Sequence, residues 1–197
     1  MDSRFVRVYD NSLSPEICNE LINQFTIRDV CRGHNHYDTP VKRFEQWSLR
    51  DDLDKPEVQE LWNHVTGVGT KITQHYLEKC RIPEIGRPKR TDLWEPLRMK
   101  RYPAGEGHFH LHTDSSHYGS VKRWLAFFWY LNDVEEGGET IFEFGDGEEE
   151  GRIEAKQGRC VVFPPFWTYP HRGAMPISDD KYFIGTYLHH EFPDHWK

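Results

Sequence analysis

His112-Thr113-Asp114 is followed, 57 residues after the aspartate, by His171 and then by Lys181. Two imidazoles and one carboxylate can occupy one face of a metal octahedron and leave the opposite face open, an arrangement suited to non-haem Fe(II). By analogy with zinc, three protein ligands with vacant positions indicate a catalytic site rather than a closed structural one. Residues two apart on a strand face the same side, so His112 and Asp114 can grip one ion from consecutive same-face positions. The same parity puts His108 and His110 on that face, giving four candidates in a row. Twelve histidines make accidental clusters common. His34-Asn35-His36 and His189-His190 read as surface pairs of that kind.

The elements that must hold such a site follow from pattern. Phe5 to Tyr9 reads as a short strand closed by Asp10-Asn11. Ser14-Pro15-Glu16 opens a helix, with a hydroxyl at the N-cap, proline at N1 and a carboxylate near the positive dipole end. Ile17, Leu21, Ile22 and Phe25 form its apolar stripe. Residues 29–55 are polar and turn-rich, a loop with a short strand near Gln46–Leu49. Asp54-Lys55-Pro56 starts a second helix, carried by Val58, Leu61, Trp62, Val65, Ile72 and Tyr76, with a break expected at Gly67 and Gly69. From Asp92 onward short strands are predicted over 94–102, 107–114, 122–131, 139–144, 160–164 and 182–189. Glu148-Glu149-Glu150, within GDGEEEG, reads as an exposed hairpin tip. Helices first and many short strands afterwards suggest helices packed outside a curled sheet or barrel.

Composition narrows the function classes. The 197 residues fit one domain, with helical support over about 1–90 and a strand-rich core over about 91–192. A formal charge of −7 disfavours a broad phosphate-binding surface, so no nucleic-acid partner is expected. The run of Lys79, Arg81, Arg87, Lys89, Arg90, Arg98, Lys100 and Arg101 is interrupted by Glu84, Asp92 and Glu95 and reads mostly as a solvated face. Cys18, Cys31, Cys80 and Cys160 are scattered, with no CxxC pair, which implies neither a zinc ribbon nor a disulfide framework. MDSRFVRVYDN has no apolar signal core, and Trp124 to Leu131 is too short to cross a membrane. A soluble, intracellular protein without a membrane partner is expected. Gly67-Val68-Gly69-Thr70-Lys71 lacks the spacing of a phosphate-binding loop.

A longer succession carries more information. Glu95-Pro96-Leu97-Arg98-Met99-Lys100-Arg101-Tyr102-Pro103-Ala104-Gly105 leads into His108-Phe109-His110-Leu111-His112-Thr113-Asp114. Trp129-Tyr130-Leu131-Asn132-Asp133, Gly137-Gly138-Glu139-Thr140 and Gly158-Arg159-Cys160-Val161-Val162-Phe163 follow. His171-Arg172-Gly173 and Lys181-Tyr182 complete it. From about Glu95 to Leu188 the chain resembles the prolyl 4-hydroxylase-like family of Fe(II)- and 2-oxoglutarate-dependent dioxygenases. The likeness extends more faintly to Val8-Tyr9-Asp10-Asn11-Ser12-Leu13-Ser14.

That resemblance implies a mainly β, α+β fold: a double-stranded β-helix, or jelly-roll, with N-terminal helices in support. It implies His112, Asp114 and His171 as iron ligands and Lys181 as the partner of the far carboxylate of 2-oxoglutarate. An unpaired carboxylate buried in a barrel would be very costly, which agrees with that role. Tyr102 and Tyr130 would reach the cosubstrate, and Thr140 would line the pocket. Two-residue steps from Lys181 put Gly185, not Thr186, on the inward face, where some relatives carry a hydroxyl. Arg172 would meet substrate or face solvent. Gly137-Gly138 reads as a tight turn that lets the next strand pass close to the site.

The implied reaction is hydroxylation of an unactivated C–H bond with O2, releasing succinate and CO2, with ascorbate as a reductant. A peptidyl proline leads as substrate, so a peptide or protein partner is expected. Thr113 to Lys122 and Thr26 to Trp47 are the candidate recognition segments, and Tyr118, Trp124 and Trp167 could stack on a pyrrolidine ring. Free amino acids remain open, and nucleic-acid demethylation is weakest. Two non-catalytic alternatives stand beside the enzyme. One is a cupin-type metal-binding barrel beginning at His110-x-His112, although the glutamate expected after that pair is absent. The other is an inactive barrel serving as an interaction module.

Overall fold

A computed structural model of the chain describes residues 4–28, 35–143 and 147–191. Two helices lie outside a curled antiparallel sheet. Strand β1 (Arg7–Tyr9) precedes helix α1 (Pro15–Ile27); β2 (Asn35–Asp38) and β3 (Lys42–Ser48) form a hairpin before helix α2 (Pro56–Lys79). The remaining strands are β4 (Arg98–Tyr102), β5 (His108–His112), β6 (Arg123–Tyr130), β7 (Thr140–Glu143), β8 (Glu149–Ile153), β9 (Cys160–Phe163), β10 (His171–Gly173) and β11 (Lys181–His189). Their lateral order is β1-β9-β6-β11-β4-β3-β5-β10-β7-β8, with β2 added beside β3. The run β9-β6-β11-β4 forms one wall and β5-β10-β7-β8 the other, joined through β3. This is the double-stranded β-helix expected of the sequence.

Period-two alternation explains how one strand serves two cores. Along β6, Leu125, Phe127 and Trp129 face the helices, packing with Leu21 and Phe25 of α1 and Val58, Leu61 and Tyr76 of α2. Ala126, Phe128 and Tyr130 face the barrel interior with Phe44, Phe142, Phe163 and Phe183. Each large side chain so buried contributes about 1.5–3 kcal/mol, and β6 is covered on both faces.

Helix α1 begins as expected: the Ser14 side chain accepts from the Ile17 amide, Pro15 is the first helical residue and Glu16 lies in the first turn. Helix α2 runs unbroken through Gly67 and Gly69, against expectation. A Cβ at Gly69 would stand 2.7 Å from the Trp94 ring and 3.4 Å from that of Trp129. The glycine costs about 1 kcal/mol of helix propensity, but it lets two indoles approach the helix axis, and that packing holds the helix together. Gly67 meets nothing within 4 Å.

Four elements differ from the pattern reading, the first being β2, a strand within the stretch expected to be loop. The strand expected near Gln46–Leu49 is longer and starts at Lys42, its charge absorbed by cross-strand pairing such as Arg101 with Glu45 (2.7 Å). Glu149 and Glu150 belong to β8 rather than to a hairpin tip, because Arg152 pairs with Glu149 and with Glu139 on the neighbouring chain segment. Strand β10 was not predicted; three residues are too few to show a period. Cys18, Cys80 and Cys160 are buried free thiols. Cys31, Gly145-Asp146 and the side chains of His34 and His36 lie outside the described residues. Among the described residues, no helix is long and apolar enough to cross a membrane.

Candidate metal centre

In the β5–β10 ladder His112 and His171 are direct cross-strand partners, which brings two distant imidazoles to one point of the barrel mouth. Their ring centroids are 4.5 Å apart. Asp114, just past the end of β5, completes the group: Nε2 of His112 is 3.5 Å from Oδ1, and Nε2 of His171 is 3.5 Å from Oδ2. One donor atom from each residue lies within 4.8 Å of the others. Each imidazole turns Nδ1 to a main-chain carbonyl, His112 to His110 at 2.8 Å and His171 to Tyr169 at 3.1 Å. With Nδ1 donating, Nε2 is left as an inward lone pair, which is the usual outer support of a metal-binding histidine.

The group fits a divalent cation. Asp114 Oδ2 is buried without a hydrogen-bond partner, a costly state that a metal ion would relieve. Burial alone would raise the Asp114 carboxyl. His171 and His112, with a smaller contribution from the Tyr187 hydroxyl, outweigh it and hold the carboxylate well below its usual range. Burial pulls the His171 imidazole down to about 4, so this ligand is neutral and ready to coordinate at neutral pH.

Only two of the four same-face candidates belong to the site. His171 pairs with His112, but Gly173, two residues on, pairs with Phe109, three residues back. The extra residue on β5 is a bulge, which reverses the facing of everything upstream of it. Phe109 therefore lies under the site, its ring stacked on His112 at 3.7 Å, while His108 and His110 turn away and His110 is exposed. That exposure also removes the His110-x-His112 pair on which a cupin-type site would rest.

The cavity beside the three residues is lined also by Lys181. Lys181 is 2 % exposed and is the cross-strand partner of Tyr102. Its ammonium donates to the Gly138 carbonyl (2.7 Å) and lies 5.2 Å from the Tyr102 ring centroid and 5.6 Å from that of Tyr130. No carboxylate among the described residues forms an ion pair with it. Burial, opposed in part by Glu139, draws its pKa down to about 7. The Gly137-Gly138 turn has both φ angles near +75°, and a Cβ at Gly137 would stand 2.3 Å from the Met175 carbonyl, so glycine is required for the turn to aim that acceptor at the lysine. Tyr102 lines the cavity against Phe183, and Tyr130 donates to Thr140 (2.7 Å).

Gly185 faces the cleft, and Thr186 faces away to donate to the Glu95 carbonyl, as the two-residue count requires. Arg172 borders the cavity and is held by Glu143 and Glu149. Trp124 is core, whereas Tyr118 and Trp167 are exposed.

Sequence reasoning missed four neighbours. Tyr187 lines the cavity and was reachable by one more two-residue step from Gly185. Arg123 donates to the Asp114 carbonyl and covers Tyr187; Glu95 holds Arg123, Arg98 and His189 through contacts of 2.7–3.0 Å. Burial would raise the Glu95 carboxyl, but His189, Arg123 and Arg98 together hold it well below the carboxylate range. Lys100 lines the cavity rather than the solvated face expected of its charge run; its place two residues before Tyr102 was the available signal.

Residues 97–189 match the sequence profile of the 2OG-Fe(II) oxygenase superfamily. The human transmembrane prolyl 4-hydroxylase is 36 % identical over a segment spanning 38 % of this chain and 18 % of that protein, so the likeness covers under a fifth of the relative's length. Among solved structures, a Pseudomonas putida prolyl-4-hydroxylase superposes with a TM-score of 0.69 at 16 % identity, covering 95 % of this chain and 93 % of the other. A Trichoplax adhaerens prolyl hydroxylase, in complex with a hypoxia-inducible-factor peptide fragment, gives 0.69 at 13 % identity over 95 % and 84 %. At these identities the structures establish the shared fold.

Proposed function

We propose that this chain, whose residues 97–189 match the 2OG-Fe(II) oxygenase profile, is a member of that superfamily and hydroxylates an unactivated C–H bond, with a peptidyl proline as the leading substrate. One observation carries the reading. A carboxylate oxygen without a partner between two inward-facing imidazole nitrogens shares a cavity with a buried lysine that has no counter-ion among the described residues. A divalent metal answers the first deficiency and a dicarboxylate the second.

His112, Asp114 and His171 would hold the iron beside the cavity that Lys181 lines. Bound iron with 2-oxoglutarate and O2 would supply the oxidising equivalents, the cosubstrate leaving as succinate and CO2. Lys181 would pair with the far carboxylate, and the Gly138 carbonyl fixes the direction of its ammonium. Tyr102 and Phe183 would pack on the carbon chain between the two anchored ends. Phe109, Phe128 and Phe142 surround the imidazoles and keep water from the reacting centre. The peptide reading draws support from the peptide-bound relative and from the groove that shares His112, Asp114 and Tyr187 with the cavity and runs past Thr113, Ser116 and His117.

The test is succinate formation by the Fe(II)-loaded chain with 2-oxoglutarate and ascorbate, together with mass spectrometry of a proline-containing peptide library for a gain of one oxygen. Turnover is expected in the wild type and absent in Asp114→Ala. Activity that survives in that variant contradicts the metal assignment.

A further inference from the structure

The groove that continues from the cavity is cationic. Lys42, Arg98, Lys100 and Arg123 line it, and among the described residues its only carboxylate is Asp114, which the reading above commits to the metal. Two of these cations have a structural counter-charge, since Glu95 holds both Arg98 and Arg123 from behind the groove wall. Lys100 has none: among the described residues no carboxylate forms an ion pair with it. Its ammonium stands among aromatic rings, 4.5 Å from the Phe44 centroid, 5.4 Å from Phe183 and 5.7 Å from Phe109.

Lys100 also stands at the junction of the two spaces, lining both the cavity and the groove. Lys181 approaches the same Phe183 ring to 5.6 Å. The two ammoniums therefore serve neighbouring compartments. Fe(II), the Asp114 carboxylate, a dicarboxylate cosubstrate and the Lys181 ammonium are together electrically neutral, so the loaded site supplies no anion for Lys100. A half-buried ammonium held against aromatic rings loses part of its hydration, and without an anionic partner that loss is uncompensated. A single charge held among hydrocarbon rings calls for a single anionic group with an apolar body beside it.

We infer that Lys100 binds a carboxylate of the substrate, so that the protein selects acidic substrates in which the carboxylate lies close to the C–H bond to be oxidised. This rests on the oxygenase reading and goes beyond it by naming a chemical class. The carboxylate has two possible sources, an acidic side chain flanking the reacting residue of a peptide, or the acid group of a free imino or amino acid.

Matched peptides carrying Asp or Asn at each position flanking a proline, together with free L-proline and L-prolinamide, distinguish the two. Oxygen gain is read by mass spectrometry on the Fe(II)-loaded chain with 2-oxoglutarate, and binding of fluorescein-labelled peptides is read by anisotropy. The acid member of a pair should be favoured about tenfold in KM or Kd. Lys100→Met should bring the two members to within about twofold, and Lys100→Arg should retain part of the preference. A preference confined to the peptides assigns the carboxylate to a side chain; one confined to proline over prolinamide assigns it to a small acid.

The inference is overturned by the absence of any acid–amide difference in the wild type, including no binding of either member, or by a preference that survives Lys100→Met. It is also overturned if Lys100→Met raises the KM for 2-oxoglutarate about tenfold while the acid preference persists, which would assign the ammonium to the cosubstrate. Consumption of 2-oxoglutarate without acid preference sinks this inference alone. Acid-selective binding without any 2-oxoglutarate consumption sinks the oxygenase reading alone.

Discussion

Arg123 lies flat against Tyr187, its guanidinium carbon 3.8 Å from the ring centroid, while one of its nitrogens donates to the Asp114 main-chain carbonyl. Glu95 locks the other side of the same guanidinium. Arg123 thus positions the aspartate without facing the metal. Arg123→Met should weaken Mn(II) binding about tenfold by calorimetry, the usual size of an outer-shell effect. Arg123→Lys should recover little, because an ammonium cannot reproduce the planar fork. An unchanged metal affinity in Arg123→Met would show that Asp114 is held by β5 alone.

Lys181 gives a pH dependence with a definite sign. Before cosubstrate binds, burial holds its pKa at about 7. A carboxylate beside it favours the charged form, so binding above that pH must take up a proton. The Kd for 2-oxoglutarate should therefore be flat below pH 7 and rise by up to about tenfold per pH unit above it. Lys181→Arg should flatten the profile, because arginine stays charged. Lys181→Met should raise the Kd about a hundredfold, in line with leaving a buried carboxylate unpaired. A pH-independent wild-type Kd over pH 7–9 would contradict the assignment.

Metal removal should cost stability. If the three donors bind an ion at a thousandfold excess over its Kd, the folded state gains about 4 kcal/mol. Chelation should lower the melting temperature, and Mn(II) should restore it. In Asp114→Ala neither treatment should shift the transition.

The two glycines of α2 should respond oppositely to substitution. Gly67→Ala adds a methyl into open space and should stabilise by about 0.5–1 kcal/mol. Gly69→Val drives a branched side chain into Trp94 and should destabilise by about 1–3 kcal/mol. Denaturant unfolding of both variants tests this, and equal effects would mean that Trp94 moves aside freely.

The sequence and the fold agree best where chemistry and local geometry coincide. Ser14-Pro15-Glu16 specifies a helix start by capping alone, and Gly185 could be placed by two-residue steps from Lys181, whereas Lys181 and Tyr102 themselves were legible only through the family resemblance. His108 and His110 show where counting fails. The β5 bulge depends on how β10 pairs with it, which no local pattern encodes. Lys100 was hidden for a related reason: charge runs mark solvent until a partner strand turns one member inward. Glu149 and Arg152 form a strand through cross-strand ion pairs rather than apolar alternation, so β8 left no periodic trace.

The ladder position shared by His112 and His171 orders events during maturation. These imidazoles come from parts of the chain that are far apart in sequence, and β10 reaches its place only between β5 and β7. His112 and Asp114 are close in sequence, but the third donor, His171, joins them only when that insertion is complete. Three-donor metallation is therefore a late event, and full-affinity ion capture by a refolding chain would time the closure of the barrel itself.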